Sequence, residues 1–199
     1  MSGAELDGLD RLERLPEGLM APDDDGACDH LPGLRLPALA LPATTGPSVD
    51  LSSLPGLTVL YAYPRTGQPD QPLPTDWDVI PGARGCTPQS CAFRDHHAEL
   101  AAAGARVFGL STQDTAYQTE AAGRLHLPFP LLSDAEGGLA RALNLPTFQV
   151  DGMTLLRRVT LILHDGVIQK VFYPVFPPDQ NAAQVLAWLA ENNLAAAIS

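Results

Sequence analysis

Short runs of consecutive apolar residues alternate along this chain with stretches whose apolar positions recur every three or four, and Pro and Gly punctuate the joins. LTVLYAY and ARVFGL are uninterrupted apolar runs rich in β-formers, the pattern of strands covered on both faces. Between them CAFRDHHAELAAAG sets Phe93, His97, Leu100 and Gly104 on one helical face, with Gly104 suited to the left-handed residue that ends a helix. This part predicts strand, helix, strand. Upstream, LRLPALAL and PSVDL predict a small strand pair. Downstream, Ser133 and Glu136 have capping-box spacing ahead of Leu139, Ala140 and Leu143, which predicts another helix. VTLIL and VIQKVFY flank Asp165-Gly166, a dipeptide that tolerates the positive φ a tight hairpin turn demands. Asp179 then opens a last helix with Ala182, Val185, Leu186 and Leu189 on one stripe.

Two segments fall outside this pattern. Residues 1–30 read as an extension: Leu6, Leu9, Leu12 and Leu15 recur every three residues, Pro16 stops the stripe, and Asp23, Asp24 and Asp25 follow, which predicts a short docking helix and an acidic loop. Residues 31–199 form the folded domain. Within it, Arg65 to Gly85 is rich in Pro, Asp and Gly, holds Trp77 and has no period of either kind, so it predicts a long loop of the kind that carries function or moves.

Composition narrows the function. A chain of 199 residues with 45% hydrophobic and 18% charged residues suits one globular domain. With 12 Lys plus Arg against 23 Asp plus Glu, the net charge of −11 repels phosphate backbones and anionic lipid, so neither nucleic acid nor membrane is an expected partner. No apolar run reaches the roughly 18 residues needed to span a bilayer. The acidic start MSGAELDGLDRLERL lacks the basic-then-apolar order of a secretory signal, and the expected location is cytoplasmic. Three cysteines are too few for a disulfide scaffold and invite a redox reading.

Cys86 precedes Thr87-Pro88, where Thr is a good N-cap and Pro a good first helical residue, so its sulfur is expected at the positive end of the helix, a position that favours a thiolate. Cys91 falls in the second turn. Five helical residues separate Cα atoms by about 8–9 Å, whereas a disulfide needs less than about 7 Å. The pair is therefore poor as a static staple and workable as a two-step redox couple in which the first helical turn unwinds.

YPRTG, GCTPQSCAFRD, VFGLST, FPLLSDAEGGLARALNLP and RRVTLILHDG together resemble the peroxiredoxin family, in particular its Q-type or bacterioferritin-comigratory-protein group, over roughly residues 31 to 193. The resemblance implies an α/β, thioredoxin-like fold with a peroxiredoxin-type N-terminal β-hairpin and, here, an extended active-site loop. It implies reduction of hydrogen peroxide and organic hydroperoxides by Cys86, resolution by Cys91 through a Cys86–Cys91 disulfide, and recycling by thioredoxin or a similar dithiol protein. No cofactor and no metal are implied, and relatives include monomers and homodimers. An arginine near the start of a late strand holds thiolate and peroxide; Arg158 matches it, with Arg157 as the neighbouring choice, and its planar fork suits developing negative charge. The motif P-x3-T/S-x2-C is broken, because Val79 and Ala83 stand where Pro and Thr or Ser belong. Pro64 is then the displaced motif proline, and the missing hydroxyl falls to Thr66 or Thr75, or the Gly85 backbone acts without one. Gln89 stands where relatives often carry glutamate.

Other readings stay in view. A thioredoxin-fold disulfide oxidoreductase would carry C-x-x-C, which is absent; a peroxide-sensing thiol protein with weak catalysis is the further alternative. A metal site from Cys86, Cys91, His96 and His97 is disfavoured because adjacent helical residues diverge by about 100°. His97 is expected as a hydrogen-bonded core histidine, Arg94 and Asp95 as a local ion pair or a brace for the helix, Trp77 as a lid or a loop anchor, and Cys28 as a spare thiol.

Overall fold

A computed structural model of the chain describes Leu12 and residues 14–192. In chain order its elements are β1 (Ala40–Leu41), β2 (Val49–Asp50), β3 (Leu57–Ala62), α1 (Cys86–Asp95), α2 (His97–Ala102), β4 (Arg106–Ser111), α3 (Thr115–Arg124), β5 (Leu131–Ser133), α4 (Gly138–Ala142), β6 (Thr147–Val150), β7 (Met153–Leu156), β8 (Val159–His164), β9 (Val167–Phe172) and α5 (Asn181–Glu191).

The central sheet runs β5-β4-β3-β8-β9. β3 is buried at every position, pairs in parallel with β4 and antiparallel with β8, and so takes the middle place its unbroken apolar run requires. Its side chains alternate between two cores. Val59 and Tyr61 join Phe93, Leu100, Val185 and Leu189 beneath α1, α2 and α5. Leu60 and Ala62 join Leu41, Leu132 and Leu139 on the opposite face. The thioredoxin-like α/β expectation is met, including the β1-β2 pair near the N-terminus and the hairpin at Asp165 (φ 49°) and Gly166 (φ 75°). Gly166 is also required sterically, since a Cβ there would lie 2.4 Å from the Ser52 carbonyl oxygen.

Several local expectations are corrected. Ser133 ends β5 and donates its hydroxyl to the Gln113 carbonyl at 2.7 Å. The N-cap of α4 is Gly137 (φ 66°), and the first-turn amides of Leu139 (3.0 Å) and Ala140 (2.8 Å) donate to the two carboxylate oxygens of Asp134. Asp179 lies inside a 3₁₀ turn, Pro178–Gln180, and α5 begins after it. The helix expected from Cys86 to Gly104 is broken at His96 into α1 and α2 and ends before Gly104, which has φ 79°.

α3 and the β6-β7 hairpin were not anticipated. Among the N-terminal leucines, Leu6 and Leu9 lie outside the described residues; Leu12 is buried and Leu15 half-buried. The 65–85 loop is pinned at Thr66, Trp77, Ala83 and Arg84, which are buried, while residues 70–72 and Val79 stay exposed. Trp77 is 5% exposed and sits with Ala83, Val150 and Leu155 in a small core of its own, its ring 6.2 Å from that of Phe148. Trp77 thus anchors the loop onto the β6-β7 hairpin.

Candidate active site

The chain enters α1 through Gly85 in the left-handed region (φ 95°). A Cβ at Gly85 would lie 2.3 Å from Pro178 Cγ and 2.8 Å from Leu15 Cδ2, so both the turn and the packing require glycine. This corrects the helix start: Gly85 is the cap and Cys86 the first helical residue, so Thr87 is already inside the helix. The sulfur therefore lies two residues deeper than the sequence suggested, inside the first turn, where the amides have no intrahelical acceptor. Pro88 contributes no such amide. α1 is fixed on the sheet by Phe93, stacked at 4.4 Å on Tyr61, and by the Tyr61 hydroxyl, which donates to Ser90 Oγ at 3.1 Å.

Cys86 is 3% exposed. Arg158, just before β8, is equally buried and brings Nη2 to 3.3 Å from Cys86 Sγ. The same nitrogen is 3.0 Å from the Arg84 carbonyl oxygen, 3.3 Å from that of Gly82 and 3.5 Å from that of Ala83. Two hydrogens cannot satisfy four acceptors; the sulfur and the Arg84 carbonyl are among the nearest, and the others complete a carbonyl collar. In the thiol form Sγ donates weakly to the Ala83 carbonyl, 3.5 Å away. Arg157 is half-buried and shares a neighbouring cavity with Arg158, Pro22, Gly82 and Tyr173, so the 3.3 Å approach to Sγ is what favours Arg158 between the two candidates.

Behind Arg158 stands a buried polar chain of Gln89, Asn181 and Thr160. Arg158 Nη1 donates to Gln89 Oε1. Gln89 Nε2 donates to Asn181 Oδ1 at 2.9 Å, and Thr160 Oγ1 donates to the same oxygen at 2.7 Å. Gln89, Asn181 and Thr160 have no solvent exposure. The guanidinium is therefore oriented from the protein interior, in a setting where water does not weaken its field.

On its outer side Cys86 opens into a cavity of about 20 Å³ lined by Leu12, Leu73, Trp77, Arg65, Arg84, Gly67, Gly85 and Thr87. Arg84 pairs with Asp78 at 3.2 Å; Arg65 donates to the Tyr117 hydroxyl at 3.2 Å and lies over that ring at 4.8 Å. Neither arginine stood out in the sequence, although Arg84 is two residues from the sulfur. Gly85 reaches this cavity. Thr66 is fully buried, and its amide and hydroxyl both donate to Gln113 Oε1, at 3.0 and 3.1 Å. Pro64 is buried beside it, and Thr75 is exposed with its amide donating to Asp151 at 2.9 Å. Val79, in the motif's proline position, is 63% exposed, and Ala83 is fully buried.

Cys91 is half-buried in the second turn of α1, and Cys28, Cys86 and Cys91 are all free thiols. Cys28 is held far from reactivity: burial, then the charges of Asp25, Asp24 and Asp29, push its thiol up to about 12. His96 is 2.8 Å from Glu99, and His97 is half-buried with its ring 5.8 Å from Phe129. Arg94 pairs with Asp95 at 2.8 Å and also donates to the Leu125 carbonyl at 3.0 Å, so it both forms the local ion pair and braces the helix. Among the described residues no group of three His, Cys, Asp or Glu is placed to hold a metal ion, and no helix is long and apolar enough to cross a membrane.

A buried cysteine opening a helix against an arginine that directly precedes a strand of the central sheet places this site among thiol-based redox folds. Residues 31–186 match the Redoxin family, and the chain belongs to it. Within that family it is one of the Q-type peroxiredoxins, as its relatives show. Chloroplastic peroxiredoxin Q of Triticum aestivum is 34% identical over 152 residues, 75% of this chain and 62% of the wheat protein, so less than two thirds of that relative is spanned. Chloroplastic peroxiredoxin Q of Sedum lineare is 32% identical over 159 residues, 79% of this chain and 76% of the relative. Among solved structures, peroxidoxin BcpB of Mycobacterium tuberculosis has a TM-score of 0.66 at 29% identity, covering 81% of this chain and 98% of that one.

Proposed function

We propose that the chain is a thiol peroxidase that reduces hydrogen peroxide and organic hydroperoxides at Cys86. The observation that carries this reading is the 3.3 Å approach of Arg158 Nη2 to Cys86 Sγ at the first turn of α1. The Cys86 thiolate attacks the outer peroxide oxygen, the O–O bond breaks, and the departing oxygen takes a proton to leave as water or an alcohol. Cys86 becomes a sulfenic acid. Arg158 donates both to the sulfur and to the negative charge that grows on the departing oxygen. The carbonyls of Gly82, Ala83 and Arg84 hold its fork in place meanwhile.

Cys91 then condenses with the sulfenic acid, releasing water and forming a Cys86–Cys91 disulfide. Both cysteines are helical, so the first turn of α1 unwinds for the sulfurs to meet. A thioredoxin-like dithiol protein reduces the disulfide by thiol–disulfide exchange. For the substrate side, Gly85 and Thr87 border the cavity, whereas Pro64 and Thr66 are buried outside its lining and Thr66 is turned to Gln113.

The experiment is a thioredoxin-coupled peroxide assay on the wild type, Cys86→Ser and Cys91→Ser. Wild type consumes peroxide, Cys86→Ser does not, and Cys91→Ser reacts once and stops. Turnover by Cys86→Ser would remove the reading, and full turnover by Cys91→Ser would transfer resolution to another thiol.

A further inference from the structure

Leu12 lines the Cys86 cavity and residues 14–30 pass beside it over Gly85 and Gly82, all of them before the residues that match the Redoxin family. Their contacts follow one another along the rim. Leu12 is 7% exposed, and its Cδ2 lies 2.6 Å from where a Cβ on Gly67 would sit. Leu15 Cδ2 lies 2.8 Å from the equivalent point on Gly85, directly before the sulfur. Pro22 Cγ lies 3.4 Å from that point on Gly82, whose carbonyl belongs to the Arg158 collar. Beyond them the Tyr173 hydroxyl donates to Asp25 at 2.9 Å, Cys28 is buried in the main core, and His30 Nε2 is 2.9 Å from the Leu143 carbonyl. Gly67 and Gly85 are thus two notches, each filled by a leucine methyl.

The space under this roof decides what reaches the sulfur. A water molecule needs roughly 10–15 Å³ of such volume. The cavity of about 20 Å³ therefore takes a molecule of two oxygen atoms, and an aryl or tertiary alkyl group has to lie at its open mouth, against Leu12. Every other residue lining it comes from 65–87; Leu12 alone among the described lining residues arrives from elsewhere in the chain.

We infer that Leu12 and Leu15 are specificity-determining residues: seated on Gly67 and Gly85, they leave Cys86 open to hydrogen peroxide and closed to bulky organic hydroperoxides, which react only when the leucines leave. The inference rests on the thiol peroxidase reading. A few methylenes in or out of an apolar pocket change rate ratios by factors of about 10–200, and that is the effect assigned to the two side chains.

The test compares second-order rate constants for Cys86 oxidation by hydrogen peroxide and by cumene hydroperoxide, measured by stopped flow on the full chain. Wild type prefers hydrogen peroxide by at least about tenfold. Leu12→Ala with Leu15→Ala lowers that preference by about tenfold or more. Gly67→Ala is the independent variant. Its new methyl would stand 2.6 Å from Leu12 Cδ2, so it unseats that leucine while keeping both, and it shifts the preference in the same direction. Gly67→Ala carries the test by itself if the double variant does not fold. Equal rates for the two peroxides in wild type, or an unchanged preference in the variants, overturns the inference. A wild type that consumes neither peroxide overturns the peroxidase reading instead.

Discussion

Gln89 and Asn181 meet through a 2.9 Å hydrogen bond, Nε2 to Oδ1, in a place without solvent, and Gln89 turns its other side-chain atom to Arg158. The amide thus positions the arginine that faces Cys86 without touching the sulfur itself. Replacing it by an apolar residue leaves Arg158 Nη1 without its buried acceptor, a loss worth about 1–3 kcal/mol. Gln89→Leu is predicted to slow Cys86 oxidation about tenfold, and Gln89→Glu, which restores an acceptor, to recover most of it. Peroxide rate constants and thermal unfolding of both variants separate positioning from a general loss of stability, because only the rate should be rescued by glutamate.

Arg158 itself acts at short range in a water-excluded setting. Arg158→Met is predicted to cut the peroxide rate constant by about 10²–10³-fold. Arg158→Lys keeps the charge and loses the fork that also gathers the Gly82, Ala83 and Arg84 carbonyls, so it should recover only part of the loss. Equal rates for lysine and arginine would reduce the role to charge alone.

Cys28 should be silent. Its thiol is pushed up to about 12, chiefly by burial, so it stays protonated at pH 8. Mass spectrometry after brief iodoacetamide treatment of the native protein is expected to find Cys28 unmodified, and Cys28→Ser is expected to turn over like wild type. With its value raised from 9.0, the Cys28 thiol of the folded form holds its proton longer than that of the unfolded chain. The stability this contributes is complete below pH 9 and is lost as pH rises from there towards 12. Chemical denaturation across that window should show a shallower decline in Cys28→Ala.

Asp25 has the opposite sign. The Tyr173 hydroxyl, the Ala27 amide and more weakly Arg157 hold its carboxyl below 3.8, with burial opposing them. The tether between the N-terminal segment and Tyr173 is therefore present above the ordinary carboxylate range and lost as pH falls through it. Limited proteolysis should cut residues 14–30 faster in acid, and Tyr173→Phe should show the faster cutting already at neutral pH.

The core beneath the site predicts its own cost. Phe93 has no exposure and stacks on Tyr61 at 4.4 Å, so Phe93→Ala should destabilise the fold by about 3–5 kcal/mol. Denaturant unfolding measures it.

What the sequence made legible is where one local signal dominates. Uninterrupted apolar runs gave β3 and β4 because both faces of those strands are covered, and Asp165-Gly166 marked its hairpin because φ there is positive. The same dipeptide stands at Asp151-Gly152, with φ 47° and 76°, but its flanks TFQV and MTLL are half exposed and lack the apolar alternation that draws attention to a strand. α3 was missed because TAYQTEAAGR buries only Gln118 and Ala121 and so carries no apolar stripe. In the site, Cys86 and Arg158 were readable as residue types with a family pattern. The Gln89–Asn181–Thr160 chain was not, because nothing in a linear sequence shows that three polar residues from separate elements share one dry interior. Nor did the leucine stripe at the N-terminus reveal which notches it fills.

The most direct test of the central claim traps the first product. Cys91→Ser protein is mixed with one equivalent of hydrogen peroxide in the presence of dimedone, and the modified residue is located by mass spectrometry, alongside non-reducing peptide mapping of oxidised wild type. The account predicts a dimedone adduct on Cys86 alone and a Cys86–Cys91 disulfide in the wild type. No adduct on Cys86, or an adduct on Cys28 in its place, would contradict it.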